Sequence, residues 1–193
     1  MIDFSFTDEQ KKLQKKARKS ALEETLPIVN YFDEVDIFLR FIFERAWKEG
    51  LLNLGIPEKY GGEGLGLIEE SLIVEEIAAV GPGLATSLFG NSLGQEPLIY
   101  CDNEAAKEKY LPIFINEPKI ISFATSEPTM GSDVAGMRCM AKEDEETGDY
   151  ILNGSKYWIT NGGVADYYTV FATNDPKARH QGICCFIVEK SFE

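Results

Sequence analysis

Over the first 118 residues, apolar side chains recur three and four positions apart, the spacing that gathers them on one helix face. "LIEESLIVEEIAAVG" shows this pattern well, and Gly81-Pro82-Gly83 breaks it. "DIFLRFIFERAWKEG" predicts a second helix, stopped by Gly50. Thr7 and Gln10 have capping-box spacing, so a helix starts there and continues to about Val29. "NEAAKEKYLPIFIN" predicts another helix, beginning near Asp102 or Asn103. "LLNLGIPEKYGGEGLG", punctuated by Pro57 and Gly61-Gly62, reads as a loop. "LATSLFGNSLGQEPLIYC" reads as two short buried helices.

Near Lys119 the pattern changes. "KIISFATSE", "MRCMAKED", "DYILNG", "SKYWIT", "DYYTVFAT" and "GICCFIVE" are strand candidates at the spacing of an antiparallel β domain. Asn153-Gly154 lies between two of them and carries the signal of a hairpin turn. The fold class is therefore α+β: an all-α domain over residues 1–118, then an incomplete, antiparallel, barrel-like domain over 119–193. The last strand is followed by no closing element, which reads as a cut in a longer protein.

Composition narrows the function classes. With 44% hydrophobic residues the chain can bury a sizeable core, and a formal charge of -13 argues against nucleic acid or an anionic membrane as the main partner. The most apolar stretch, "DIFLRFIF", is short and holds Arg40, so no span is expected. The four cysteines form no CxxC pair and His180 is the single histidine, so no metal site is expected and the thiols read as reduced. The start, "MIDFSFTDEQ", reads as neither signal nor transit peptide. A cytoplasmic location follows, with the mitochondrial matrix, after removal of a leader, as the alternative.

Two stretches carry candidate chemistry. In "FATSEPTMGSDVAG" a strand delivers Thr125 and Ser126 to a turn holding Gly131, Ser132 and Asp133. Such a turn either binds anionic oxygens through its backbone N–H groups or is an ordinary Ser/Asp turn. In "KYWITNGG", Trp158 is either a core residue beside a turn or a flat wall for a flat ligand. No Ser-His-Asp arrangement can be drawn with His180.

These stretches, with "FTDEQ", "AWKEGLLNLGIPEKYGGEGLG", "IVEEIA", "GNSLGQEPLIY" and "KEKYLP" in order, resemble the acyl-CoA dehydrogenases of the medium- and short-chain type. The resemblance covers essentially the whole chain. It implies FAD as cofactor and an acyl-CoA thioester as substrate, dehydrogenated to a trans-2-enoyl-CoA. It also implies an electron-transfer flavoprotein as electron acceptor and a homotetramer for a full-length chain. By the same resemblance Phe123, Ala124, Thr125 and Ser126 form the flavin-contacting strand. Gly131 and Ser132 lie near the FAD phosphates, with Ser132 also near the thioester's pantetheine arm. Trp158, Ile159 and Thr160 lie beside the isoalloxazine ring, and Phe89 and Leu93 line the floor of the acyl tunnel.

The turn departs from the family at Thr129 and Met130, where small residues are usual. Strain at Thr129 and bulk from Met130 near the phosphates are therefore expected. The family's catalytic glutamate belongs to a C-terminal helical domain, so none is assigned here and the chain alone is expected to be inactive. A non-catalytic acyl-CoA or flavin-binding module, or an acyl-CoA oxidase, remain alternatives.

Overall fold

The computed structural model describes residues 5–35 and 37–192. Those residues form two compact units, one drawn from 5–92 with 101–118, the other from 93–100 with 119–192.

In the first unit, α1 (Asp8–Ser20) starts as the sequence predicts. Thr7 Oγ1 accepts from Gln10 N at 3.1 Å and the Gln10 side chain accepts from Thr7 N at 2.9 Å, so both capping-box bonds form. A π-turn at Ala21–Thr25 separates α1 from α2 (Val29–Val35), so the long first helix is in fact two. The second predicted helix is α3 (Arg40–Lys48), and its expected start at Asp36 lies outside the described residues. Gly50 follows at φ 61, the left-handed stop that favours glycine. Next come α4 (Leu67–Ala78), α5 (Pro82–Tyr100) and α6 (Glu104–Asn116), with Asn103 capping α6 through Ala106 N.

The two short helices expected after Gly81 are one continuous α5. Pro82, which looked like a breaker, stands at the helix start, where its missing N–H costs nothing. The loop before α4 is fixed from within. Asn53 is buried at φ 61, donates to Phe114 O at 2.8 Å and accepts from Asn91 at 2.9 Å. Trp47 Nε1 donates to the same Phe114 carbonyl at 2.8 Å.

The second unit is an open sheet of β1 (Ile121–Ala124), β2 (Met140–Glu143), β3 (Tyr150–Asn153), β4 (Tyr167–Thr173) and β5 (Ile183–Glu189). The sheet is mixed. β5 pairs antiparallel along all of β4, while β1 and then β2 meet β4 in parallel, and β2 pairs antiparallel with β3. The register Ser122↔Tyr168 and Ala124↔Val170 sets two faces by the two-residue period of a strand. Ser122, Ala124, Tyr168 and Val170 share one face. Phe123, Thr169 and Phe171 share the other, where the Phe123 and Phe171 rings meet at 5.0 Å. The last turns of α5 cover that second face: the Thr169 hydroxyl donates toward Gly94 O at 3.1 Å. Gly94 has to be small, since a Cβ there would stand 2.7 Å from Ile121 O.

Two strand-level expectations change. Asn153-Gly154 turns no hairpin; the β2–β3 hairpin closes instead through Asp144–Asp149. Gly154 instead serves a close approach beside the β2–β3 pair, because a Cβ on it would lie 2.6 Å from Cys139 Cα. "SKYWIT" is not a strand either but an irregular loop.

Candidate functional site

β1 ends at Ala124 and the chain turns through Thr125 to Met130. Glu127 and Met130 exchange two backbone hydrogen bonds, at 2.9 and 3.1 Å, which close the turn. The expected strain is absent, since Thr129 is not at positive φ. The Met130 side chain is buried within the protein rather than spread over the turn. Gly131 and Ser132 are exposed, and a Cβ on Gly131 would meet nothing within 4 Å.

Glu127 is buried and fully engaged. Its Oε2 accepts from Arg138 N at 2.8 Å and its Oε1 from Cys139 N at 2.8 Å and Lys156 Nζ at 2.9 Å. Burial pushes the carboxyl up, but Lys156 and the two amides outweigh it and hold the group below its ordinary value. Lys156 also donates to Thr125 O at 3.0 Å, and Tyr157 N to Ser126 O at 2.9 Å.

The loop that follows is anchored from the sheet. Ser122 Oγ donates to Thr160 O at 2.8 Å and the Tyr168 phenol to Gly162 O at 2.9 Å. Burial, and then Asp166, push that phenol up, so it stays a donor. Trp158 and Asn161 sit at φ 57 and φ 61, which ends any strand here. Asn tolerates that region, whereas a bulky Trp in it is an outlier. The Trp158 indole is 87% exposed and touches the Tyr157 ring edge-on at 4.9 Å.

Between this loop and the Ala124–Tyr168–Val170 face lies an open hollow of about 410 Å³. Trp158, Ile159 and Gly162-Gly163 form its loop side. No Asp, Glu or His lines it, and its lysine, Lys156, is committed to Glu127 and Thr125. The hollow can hold a flat ring against aromatic and backbone surface, but no carboxylate or imidazole lines it to take a proton.

Of the residues singled out from the sequence, Ala124, Trp158 and Ile159 line the hollow. Thr160 is exposed beside them and offers its carbonyl to Ser122. Phe123 faces the other side of the sheet. The Thr125 hydroxyl is buried without a protein partner, and Ser126 is half-buried, its carbonyl taken by Tyr157. Gly131 and Ser132 do not line the hollow. Phe89, half-buried, and Leu93, exposed, stand one turn apart on α5 and do not line it either. Lys156, Glu127 and Tyr168 escaped the sequence reading. A lysine opening the apolar "KYWI" run was the available signal for the first. Among the described residues no His, Cys, Asp or Glu group could hold a metal ion.

The chain is thus a helical unit joined to an open-sheet unit, and the sheet unit carries an exposed aromatic wall over one sheet face. The family model "Acyl-CoA dehydrogenase, N-terminal domain" matches residues 7–117, and "Acyl-CoA dehydrogenase, middle domain" matches 122–193. The chain belongs to the acyl-CoA dehydrogenase family. It is 39% identical over 178 residues to a probable medium-chain specific acyl-CoA dehydrogenase 2, mitochondrial, of Caenorhabditis briggsae, covering 92% of this chain and 43% of that one. Its fold is similar to butyryl-CoA dehydrogenase from Megasphaera elsdenii, with TM-score 0.92 and 34% identity over 98% of this chain and 50% of that one. It is also similar to an acyl-CoA dehydrogenase complexed with FAD from Bacillus anthracis, with TM-score 0.85 and 33% identity over 100% of this chain and 32% of that one. The chain thus spans half or less of the length of these proteins.

Proposed function

We propose that this chain provides the N-terminal helical and middle-domain part of an FAD-dependent acyl-CoA dehydrogenase. The reaction is α,β-dehydrogenation of an acyl-CoA thioester to the trans-2-enoyl-CoA, with an electron-transfer flavoprotein taking the electrons. The working location is the cytoplasm or the mitochondrial matrix. Trp158 is the observation that carries the reading. An indole held in a strained backbone conformation and left 87% exposed gains nothing for the fold, so a ligand is what it serves.

FAD fits the residues present. Trp158 and Ile159 offer an apolar wall, and the buried Thr125 hydroxyl lacks a partner, a state that a ligand hydrogen bond relieves. The exposed Gly131-Ser132 turn leaves room for close approach to its backbone. When bound, FAD supplies the two-electron acceptor for the hydride leaving the β carbon. The chain's own part is to bind and orient. Trp158 shields one side of the hollow from water, and the Ser122 and Tyr168 hydroxyls fix the loop carrying it. Proton removal from the α carbon falls to no residue lining the hollow.

The test is anaerobic mixing of the purified intact protein with a saturated acyl-CoA. A yellow protein that bleaches, yields enoyl-CoA and passes electrons to the flavoprotein acceptor supports the reading. A colourless protein that takes up no FAD overturns it. Rapid re-oxidation by oxygen would make it an oxidase. Chain-length preference is assigned to α5. Phe89→Ala opens space for terminal methylenes, each worth about 0.8 kcal/mol when buried. The variant's kcat/KM profile shifts toward longer acyl-CoAs, and an unmoved profile removes Phe89 from the acyl pocket.

A further inference from the structure

Five hydrogen bonds converge on one small buried cluster that the proposed chemistry does not use. Glu127 accepts from the Arg138 and Cys139 amides and the Lys156 ammonium, Lys156 donates to the Thr125 carbonyl, and the Tyr157 amide donates to the Ser126 carbonyl. Three chain segments meet there: the turn after β1, the entry to β2, and the loop that carries Trp158. The side chains of Lys156 and Glu127 are 11% and 3% exposed, so the pair is shielded from solvent and from salt. Lys156 is the cluster's only side-chain donor, and the turn and the wall loop both depend on it.

We infer that Lys156 is a positioning residue for the flavin. Through Glu127 and the Thr125 carbonyl it holds the Trp158 loop in register with the end of β1, so that the wall is in place before a ligand arrives. The inference rests on the reading of Trp158 as the flavin wall. Three features support it. Trp158 is two residues from the ammonium and strained at φ 57, so its backbone needs neighbours that over-determine it. The indole itself is held by little else, touching the Tyr157 ring at 4.9 Å. Lys156 itself lines the hollow and ties the loop that carries Trp158 to the turn after β1. The pair is internally neutralised, so it fixes geometry without adding net charge to the site.

The test uses the intact protein with FAD, in four variants: Lys156→Met, the paired neutral change Glu127→Gln with Lys156→Gln, Trp158→Gly, and Arg18→Met. The last breaks the Arg18–Glu76 ion pair of the helical unit and serves as a control for lost stability alone. FAD affinity is read by quenching of flavin fluorescence, and ring placement by the visible circular dichroism of the flavin at saturation. Lys156→Met is expected to weaken FAD at least tenfold and to change the dichroism of the flavin that still binds. The paired change, which leaves no buried unpaired charge and so is the safer fold, is expected to change it in the same sense. Arg18→Met lowers stability and leaves the flavin spectrum as it was. If Trp158→Gly alters affinity and spectrum while both Lys156 variants match the unmodified protein at saturation, the positioning role is overturned and the site reading stands. If Trp158→Gly alters neither, the site reading itself fails and the inference with it.

Discussion

Glu127 and Trp158 differ in how the protein holds them: the first is buried and fully hydrogen-bonded, the second exposed with a strained backbone. Glu127 holds the fold. Its folded carboxyl sits below the 4.5 of an ordinary glutamate, so its stabilisation is complete above that pH and is lost as pH falls through the folded value. Glu127→Gln removes an ion pair and leaves one amide facing a donor, at a cost of about 2–4 kcal/mol near neutrality. The deficit shrinks below about pH 4.5. Urea unfolding at pH 7 and at pH 4 measures both, and an equal deficit at the two values would show that the charge is not what counts. Trp158 behaves oppositely. Its αL backbone costs about 1–2 kcal/mol, while glycine at the same place costs about 0.5–1 kcal/mol in chain entropy. Trp158→Gly should therefore leave the unfolding free energy within about 1 kcal/mol of the starting protein and still weaken FAD. A large loss of stability in that variant would make the indole a structural residue after all.

At the scale of elements, close approach decides more than propensity. Gly154 stands where a dipeptide signal predicts a hairpin, yet it lies just past β3, close against Cys139 at the entry to β2. A methyl group on it would meet Cys139 Cα at 2.6 Å and Cys139 Cβ at 2.8 Å. Gly154→Ala forces this close approach apart and should cost about 1–3 kcal/mol, as overpacking does. Thermal unfolding of the variant checks this, and an unchanged midpoint would show that the contact yields freely. α5 makes a similar point. Gly94 lets the helix lie against Ile121 O on one face of the sheet, which leaves the Ala124–Tyr168–Val170 face open for the hollow.

At the scale of the whole molecule, the chemistry expected of the family needs a base, and the hollow provides none. Glu127, the carboxylate nearest in sequence to β1, is neutralised by Lys156 and two amides. Residues 1–193 alone, supplied with FAD, a saturated acyl-CoA and an artificial electron acceptor, should therefore give no enoyl product at enzymic rates. General-base help of about 10²–10⁴-fold is lacking. Turnover near 1 per second or faster, an ordinary enzymic rate, would show that the chain holds a base of its own.

The sequence by itself determined the division into a helical part and a strand part near Lys119, the capping of α1 at Thr7, the stop at Gly50 and the family. Each is written locally, in a period, a capping pair, a glycine or a run of motifs. It also marked Trp158, because an aromatic beside two glycines is unusual whatever surrounds it. Tertiary structure decided the rest. The parallel pairing of β1 with β4 joins residues more than forty positions apart, and no short-range pattern encodes which edge a strand finds. "SKYWIT" has strand composition, yet Ser122 donates to its Thr160 carbonyl, Tyr168 donates to the Gly162 carbonyl just beyond, and positive φ at Trp158 and Asn161 breaks the ladder. In the chain Glu127 is part of a turn motif and Lys156 only opens the "KYWITNGG" run. Only the fold, by burying them together and giving each carboxylate oxygen an amide donor, turns them into the clamp beneath the site.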